Sequence, residues 1–348
     1  MPLQQQATQT NVAALRQQKR ENFLHSLGWT NVTMEPMQAD ASFRRYYRLH
    51  GTPSPMLLME DPPDRPPVPP FVMVEPFVKI AAHLRKLGLH APKVHHQDIP
   101  NGLLIIEDFG DDTYTRLFAK GADPKPLYDL AVDALVLLHK HPERNALNLA
   151  PYDDEHLIDE TMRMLEWYYP ALTGQQPTEE MKKSFGAVWA ELFKKLPKDQ
   201  QTLVLRDYHV DNLMLIGGAT GMAACGLLDF QDAVAGQFSY DLMSLLEDAR
   251  RDVPADLKEH LYARYLHGMG GAVDPVTFDY TFRVLAAQRH ARVLGIFVRL
   301  SVRDGKDRYL EFIPHLHKLF MHALNDPALA PLKKWFADHG IDIGKGLK

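Results

Sequence analysis

The sequence contains a single cysteine, Cys225. That excludes an intrachain disulfide framework and any zinc site built from several thiolates, and it fits a reducing compartment. No apolar run approaches the ~20 residues of a membrane span. The start, MPLQQQATQT, offers Gln and Thr where a secretory signal needs an apolar stretch. A basic surplus is also missing: 39 Lys and Arg against 44 Asp and Glu leave a net charge of −5, without the footprint of a nucleic-acid binder. The expectation is a cytoplasmic protein with neither membrane nor nucleic acid among its partners. What is present is ordinary for a folded domain, 45% apolar and 24% charged residues. The 348 residues suffice for two or three domains or for one bilobal unit. Cys225, within MAACGLLD, reads as a small core residue on a buried strand. The pairs His95 with His96, His139 with His141 and His315 with His317 have no carboxylate or cysteine at a supporting interval. They read as solvated rather than zinc-binding.

Patterning along the chain predicts an α+β protein. Residues 1–15 read as frayed and polar, and the spacing of Leu15, Phe23, Leu24 and Leu27 predicts a helix from Asn11 to Leu27 stopped by Gly28. FRRYYRL and MLLM read as two strands, followed by MEDPPDRPPVPP, a stiff connector whose prolines exclude helix and sheet. A helix near Phe71 to Leu87 precedes the buried strand LLIIEDF, and Leu127, Leu130, Ala131, Ala134, Leu135 and Leu138 have the spacing of a half-buried helix. The rest to about Leu324 is helical except for residues 203–230, where LVL, LMLI and ACGLLDF read as strands joined in a hairpin.

This exception carries the chemistry. In LVLRDYHVDNLMLIGGATGMAACGLLDFQDA, Asp207 precedes Asn212, and an apolar strand then ends at Asp229. Phosphoryl transfer from ATP needs a carboxylate to orient and deprotonate the acceptor hydroxyl, and oxygen ligands to hold Mg²⁺ against the phosphates. A loop with Asp and Asn, joined through a hairpin to a second Asp at a strand end, supplies these parts in the order kinases use them. Asp207 is then the base, with Asn212 and Asp229 as the metal ligands. The competing reading is that both aspartates merely cap turns, but two carboxylates crowded at strand ends repel unless a cation joins them.

RDYHVDN, LLDFQDA and SYDLMSLL resemble the catalytic loop, metal-binding segment and buttressing helix of the aminoglycoside phosphotransferase and choline kinase superfamily. With ASFRRYYRL, LLIIEDFGDDTY and QRHARVLGIFVRLSVRDGKDRYL, the chain is similar to the branch of anomeric N-acetylmuramate and N-acetylglucosamine kinases of bacterial cell-wall recycling. The resemblance implies a bilobal protein-kinase-like fold, with a small β-rich lobe over residues 1–108 and a larger helical lobe over 109–348. It also implies that adenine is bound by backbone at Glu107, Asp108 and Phe109 and that Asp241 buttresses the catalytic loop; His209, two residues after Asp207 in that loop, is the second candidate catalytic residue and is expected to order the loop rather than transfer protons.

Two departures stand out. The usual Gly-rich phosphate loop is absent from Asp40, Ala41, Ser42, Phe43, Arg44, Arg45, so Ser42 with Arg44 or Arg45 is the expected substitute. The strand lysine is absent too, with Met59 or Glu60 near its position and Arg44, Arg45 and Arg48 as the nearest cations.

For the acceptor, Gln288, Arg292, Gly295 and Arg299 form a polar stripe on an apolar late helix, which either faces a hydroxylated, partly anionic sugar, with Asp232 joining the set, or pairs its arginines with internal acids such as Glu247, Asp248 or Asp304. Trp167, Tyr168 and Tyr169 could stack on a sugar face, but the expectation is that they fill the core between helices. The expected function is an ATP- and Mg²⁺-dependent kinase acting on a sugar hydroxyl, anomeric in N-acetylmuramate or N-acetylglucosamine. The alternatives are an aminoglycoside- or choline-like kinase with a cationic acceptor, or a nucleotide-binding pseudokinase scaffold.

Overall fold

The aromatic and aliphatic segments around residues 45–60 and 103–107 pair into one antiparallel sheet. In the computed structural model, which describes residues 3–37, 44–62, 74–198 and 201–347, its strands are β1 (Thr33–Pro36), β2 (Arg45–His50), β3 (Met56–Glu60), β4 (Val94–Asp98) and β5 (Leu103–Glu107). Their order is β1-β2-β3-β5-β4. The sequence pattern gives no notice of β1 or β4, because both are edge strands, where continuous apolar patterning is not required. β1 ends in Pro36, and β4 reads Val-His-His-Gln-Asp.

α1 (Leu3–Ser26) lays Phe23 and Leu24 against Leu49, Met56, Leu58, Leu103 and Ile105 of the sheet. It begins at Leu3 rather than Asn11, which corrects the expected frayed start. The Gln4 to Ala7 run is a good helix former. α2 (Val74–Lys86) and α3 (Tyr114–Ala119) follow. Most of the Pro-rich connector, Pro63 to Pro70, lies outside the described residues.

Farther along come α4 (Pro124–Lys140), α5 (Asp154–Arg163), a π turn (Met164–Tyr168), α6 (Tyr169–Thr173) and α7 (Glu179–Phe193). Four short strands follow, β6 (Gln201–Val204), β7 (Leu213–Leu215), β8 (Cys225–Leu227) and β9 (Val234–Gln237). α8 (Ser239–Leu246), α9 (Ala255–Met269), α10 (Pro275–Val302), α11 (Ile313–Leu324) and α12 (Ala330–Asp338) complete the order. The chain divides into two compact units, Met1–Lys120 with Met214–Gln231, and Gly121–Leu213 with Asp232–Lys348. LMLI and ACGLL do pair, as β7 with β8, and Cys225 is buried. The LVL segment does not join that hairpin: β6 pairs antiparallel with β9, Leu203 opposite Ala235, a partner not anticipated from sequence.

α10 runs through the core of the second unit, burying Val284, Leu285, Leu294, Phe297 and Val298. A Cβ at Gly295 would lie 2.1 Å from the Arg163 carbonyl oxygen, so the glycine lets α10 cross the start of the π turn at backbone contact. Gly295 is a packing residue, not part of an acceptor stripe. Tyr168 and Tyr169 are buried in the same core, with Trp167 packed at its edge. His139 departs from its expected solvation. It is buried among apolar residues of α4, its Nδ1 2.6 Å from the Tyr265 hydroxyl and its ring edge-on to Phe238. Among the described residues, no helix is long and apolar enough to cross a membrane.

Two outcomes follow from this packing. Gly295→Ala drives a methyl into backbone that cannot yield, and should destabilise the protein by about 3 kcal/mol or more in denaturant titrations. Burial pushes the His139 imidazole down to about 3 from its ordinary 6.5, so between these values the unfolded chain takes up a proton that the native state refuses. Stability is therefore lost as pH falls below the unfolded value. Between pH 7 and pH 5 the His139→Gln protein should show a pH-dependent loss smaller than wild type by roughly 2 kcal/mol in urea unfolding.

Candidate active site

In the first unit, the cross-strand register pairs Arg45 with Glu60, so Arg44 and Asp61, each one residue outward, face each other. Arg44 Nε lies 3.3 Å from Asp61 Oδ2, and its Nη1 lies 3.2 Å from Asp229 Oδ1. Asp229 follows β8 with φ of 58°, a left-handed conformation that a non-glycine residue adopts only when its surroundings impose it. The next residue, Phe230, is anchored in the core against Phe77. The turn this forces leaves the Asp229 side chain 45% exposed, with Gln231 Nε2 donating to Oδ1 at 2.8 Å. An exposed carboxylate at a strand end is a hard oxygen donor of the kind Mg²⁺ takes.

Of the two residues nearest the missing strand lysine, Met59 and Glu60, the second has the opposite sign. Glu60 is fully buried and receives Arg16 at 2.6 Å and Arg20 at 2.7 Å, both from one face of α1. Sequence reasoning missed these two arginines. Their spacing of four on a helix was the available signal. Arg48 is also removed from the list of phosphate cations, because Asp108 and Asp111 hold it at 2.6 and 3.1 Å. Arg45 is exposed on β2, and Ser42 lies outside the described residues. Glu107 holds Arg85 and His90, each at 3.3 Å. The N–H groups of Glu107 and Asp108 donate to Lys93 and Pro55 carbonyls, so they are already engaged within this unit. The Phe109 ring packs on His90 and fills the space left open by Gly226.

In the second unit, the loop after β6 is pinned from behind. Both oxygens of the buried Asp241, in the first turn of α8, accept backbone N–H groups, from Leu205 at 2.7 Å and Arg206 at 2.9 Å. Burial pushes the Asp241 carboxyl up to about 7 despite these bonds. Arg206 is thereby held at φ of 70°, and the chain turns so that the Asp207 side chain is 37% exposed. Tyr208 anchors the next position by donating to the Ala131 carbonyl at 2.8 Å. Asn212 Nδ2 donates to the Asp207 carbonyl at 2.9 Å, which leaves its Oδ1 as the atom to offer a cation. His209 is buried and kept neutral by desolvation, its Nε2 facing Asn212 Nδ2 and Arg250 Nη1 at 3.4 Å each. It orders the loop.

Burial by itself would raise the Asp207 carboxyl, but the charges of Arg292, Arg289 and Arg206 outweigh it and hold the group below the usual range. Arg289 Nη2 is 4.0 Å from Asp207 Oδ1. Arg292 Nε and Arg206 Nη2 share Glu160 at 3.3 and 2.5 Å, and Tyr152 donates its hydroxyl to the same carboxylate. Arg206, Arg289, Glu160 and Tyr152 were not anticipated, since nothing in local spacing ties Glu160 to a loop beyond residue 200. Of the proposed acceptor residues, Arg292 belongs to this group. Gln288 does not: it is fully buried, donating to the Leu157 carbonyl at 3.2 Å, which removes it from any acceptor surface. Arg299 lies two turns farther along α10, its Nε enclosed, where the charges of Arg303, Arg163, Asp304 and Arg292 act on it. Asp232 is exposed.

A model of the phosphotransferase enzyme family (APH) matches residues 33–281. The chain is 36% identical to an N-acetylmuramate/N-acetylglucosamine kinase of Caulobacter vibrioides over 92% of its own length and 96% of that protein. It is 32% identical to one of Pseudomonas aeruginosa over 89% and 90%. Among solved structures, the gentamicin complex of APH(2")-IIa superposes with a TM-score of 0.58 at 14% identity, covering 89% of this chain and 97% of that one. A microcompartment-associated aminopropanol kinase gives 0.56 at 15%, covering 90% and 95%. These structures show the same kinase-like α+β fold.

The Asp241 clamp is directly testable. In Asp241→Ala, amide hydrogen exchange at Leu205 and Arg206 should accelerate by roughly tenfold or more, the equivalent of losing a hydrogen bond of about 1–1.5 kcal/mol. Unchanged protection at both amides would mean that the loop is held by something else.

Proposed function

Because the chain belongs to the phosphotransferase enzyme family, we propose that it transfers the γ-phosphoryl group of ATP to the anomeric hydroxyl of N-acetylmuramate or N-acetylglucosamine. The observation that carries the choice of acceptor is the charge around Asp207. Arg206 of the loop and Arg289 and Arg292 of α10 gather around Asp207, offset by Glu160 and Asp207 itself. Such a group suits a neutral or anionic sugar and repels the polycationic acceptor of an aminoglycoside kinase.

In this reading, Asp207 is the residue that touches the reacting hydroxyl. Its exposed, ionised carboxylate accepts the hydroxyl hydrogen, orients the oxygen for in-line attack and takes the proton as the new O–P bond forms. Asp241 keeps that carboxylate in place through the two backbone N–H groups it accepts. Asn212, through Oδ1, and Asp229, through its exposed carboxylate, are the assigned Mg²⁺ ligands, and both are hard oxygen donors as that ion requires. When bound, Mg²⁺ supplies positive charge to the phosphates. Arg44, already beside Asp229 and Asp61, is the cation we assign to the phosphate side in place of the missing lysine. Backbone at Phe109 is the assigned contact for adenine. The reaction belongs in the cytoplasm, where ATP is available, and its product is a sugar 1-phosphate of the kind cell-wall recycling consumes.

The test is ADP release with a panel of sugars, amino sugars, aminoglycosides and choline, with phosphorus NMR to locate the phosphate on any product. We expect N-acetylmuramate and N-acetylglucosamine to be phosphorylated at the anomeric oxygen. Asp207→Asn should lose about 10²–10⁴-fold in kcat, with ATP affinity changed by less than about twofold, since the base contributes to chemistry and not to nucleotide binding. Full turnover in this variant, or a product phosphorylated only at a ring hydroxyl, would sink the assignment.

A further inference from the structure

Arg289, the neighbour of Gln288 on α10, has a side chain only 2% exposed. Its Nη2 stops 4.0 Å from Asp207 Oδ1, outside hydrogen-bonding reach. Its Nε and Nη1 are enclosed with no hydrogen-bond partner among the described residues. A guanidinium carries five N–H donors and no acceptor, and leaving such groups unmatched in the interior is costly. Each of the other two arginines of the group has a carboxylate partner, although Arg206 Nε is also enclosed without one. Arg206 and Arg292 converge on Glu160, and Arg292 also reaches the Tyr240 hydroxyl at 3.4 Å. Arg289 is thus the cation of this group that lacks a hydrogen-bonded acceptor, and the group it faces is the partly exposed catalytic carboxylate.

We propose that Arg289 is a specificity residue that donates to the carbonyl oxygen of a 2-acetamido substituent on the acceptor sugar. The inference rests on the sugar-kinase reading above. When Asp207 engages the anomeric hydroxyl, a donor at 4.0 Å from Asp207 is placed for a group on the adjacent ring carbon, C2. An acetamido carbonyl is a strong neutral acceptor that reaches outward from that carbon. A 2-hydroxyl is shorter and offers the guanidinium a weaker partner, and a 2-ammonium group would meet Arg206, Arg289 and Arg292 as a like charge. The arrangement therefore selects N-acetylated sugars over both the parent hexose and the free amino sugar.

The experiment measures kcat/KM for N-acetylglucosamine, N-acetylmuramate, glucose and glucosamine in wild type, Arg289→Gln and Arg289→Lys. Wild type should prefer both N-acetylated sugars over the other two by about 100-fold or more. Arg289→Gln should erase about tenfold or more of that preference, equally for the two N-acetylated acceptors, with KM for ATP unchanged. Arg289→Lys should recover part of it. An unaltered preference in Arg289→Gln overturns the proposal. So does a loss confined to N-acetylmuramate, which would assign the residue to the lactyl carboxylate. Because a buried arginine can also matter for folding, a second measurement uses unmodified protein labelled with ¹⁵N-arginine. The Arg289 Nε–Hε resonance should shift on adding N-acetylglucosamine and not on adding glucose; no shift with either overturns the proposal. This arm requires no turnover. A wild-type protein that phosphorylates none of the four sugars therefore counts against the sugar-kinase reading, while the resonance still decides the role of Arg289.

Discussion

Both oxygens of the buried Asp241 carboxylate accept backbone N–H groups from Leu205 and Arg206, and this pair of bonds ends the strand that precedes them. Without it, Arg206 would have no reason to stay in the left-handed region, where a non-glycine residue is disfavoured. With it, the chain reverses and leaves Asp207 partly exposed, while the Tyr208 hydroxyl anchors the next residue and the Asn212 amide holds the Asp207 carbonyl. A fully buried carboxylate is an expensive tether, as its elevated proton affinity shows. The cost is offset by geometric definition: an aspartate fixed from behind at two consecutive amides leaves the next residue little freedom. Arginines then supply the charge that keeps Asp207 ionised against the upward pull of desolvation.

The first unit solves a different electrostatic problem by the same means. A glutamate, Glu60, ends the central strand close to where the kinase pattern has a lysine, and the N-terminal helix brings Arg16 and Arg20 to it. The helix is thereby bound to the sheet by charge as well as by Phe23 and Leu24. One residue on, Asp61 takes Arg44, which also reaches Asp229. Positive charge therefore enters this region as guanidinium from outside the strand, not as ammonium from within it. Arginine is suited to that position because its planar fork engages two carboxylates at once.

Much of this was legible in sequence. Asp207, Asn212 and Asp229 could be singled out because their spacing and strand context are local, and Asp241 because it lies on the helix just after them. The strands at Arg45–His50, Met56–Glu60 and Leu103–Glu107 follow from composition, and the helices from their apolar period. Edge strands β1 and β4 carry no such signature, since one side of an edge strand has no neighbour to impose it. Nor did the late helix yield its roles: a stripe of Gln288, Arg292, Gly295 and Arg299 is one face of a helix, but which part of that face meets another helix depends on the crossing point. Gly295 marks that crossing, Gln288 is buried on α5, and Arg289, off the stripe, faces Asp207.

The sequence by itself determined the reaction class, because phosphoryl transfer needs a base and oxygen ligands at set intervals on one loop and hairpin, and such intervals survive in the linear chain. Tertiary structure alone decided which charges answer which. Glu160 with Arg206 and Arg292, Arg289 with Asp207, and Arg16 and Arg20 with Glu60 join residues from 40 to 132 positions apart. No local rule links such partners, since ion pairing depends on distance in space and on burial, and both are set only when the helices and the sheet have packed.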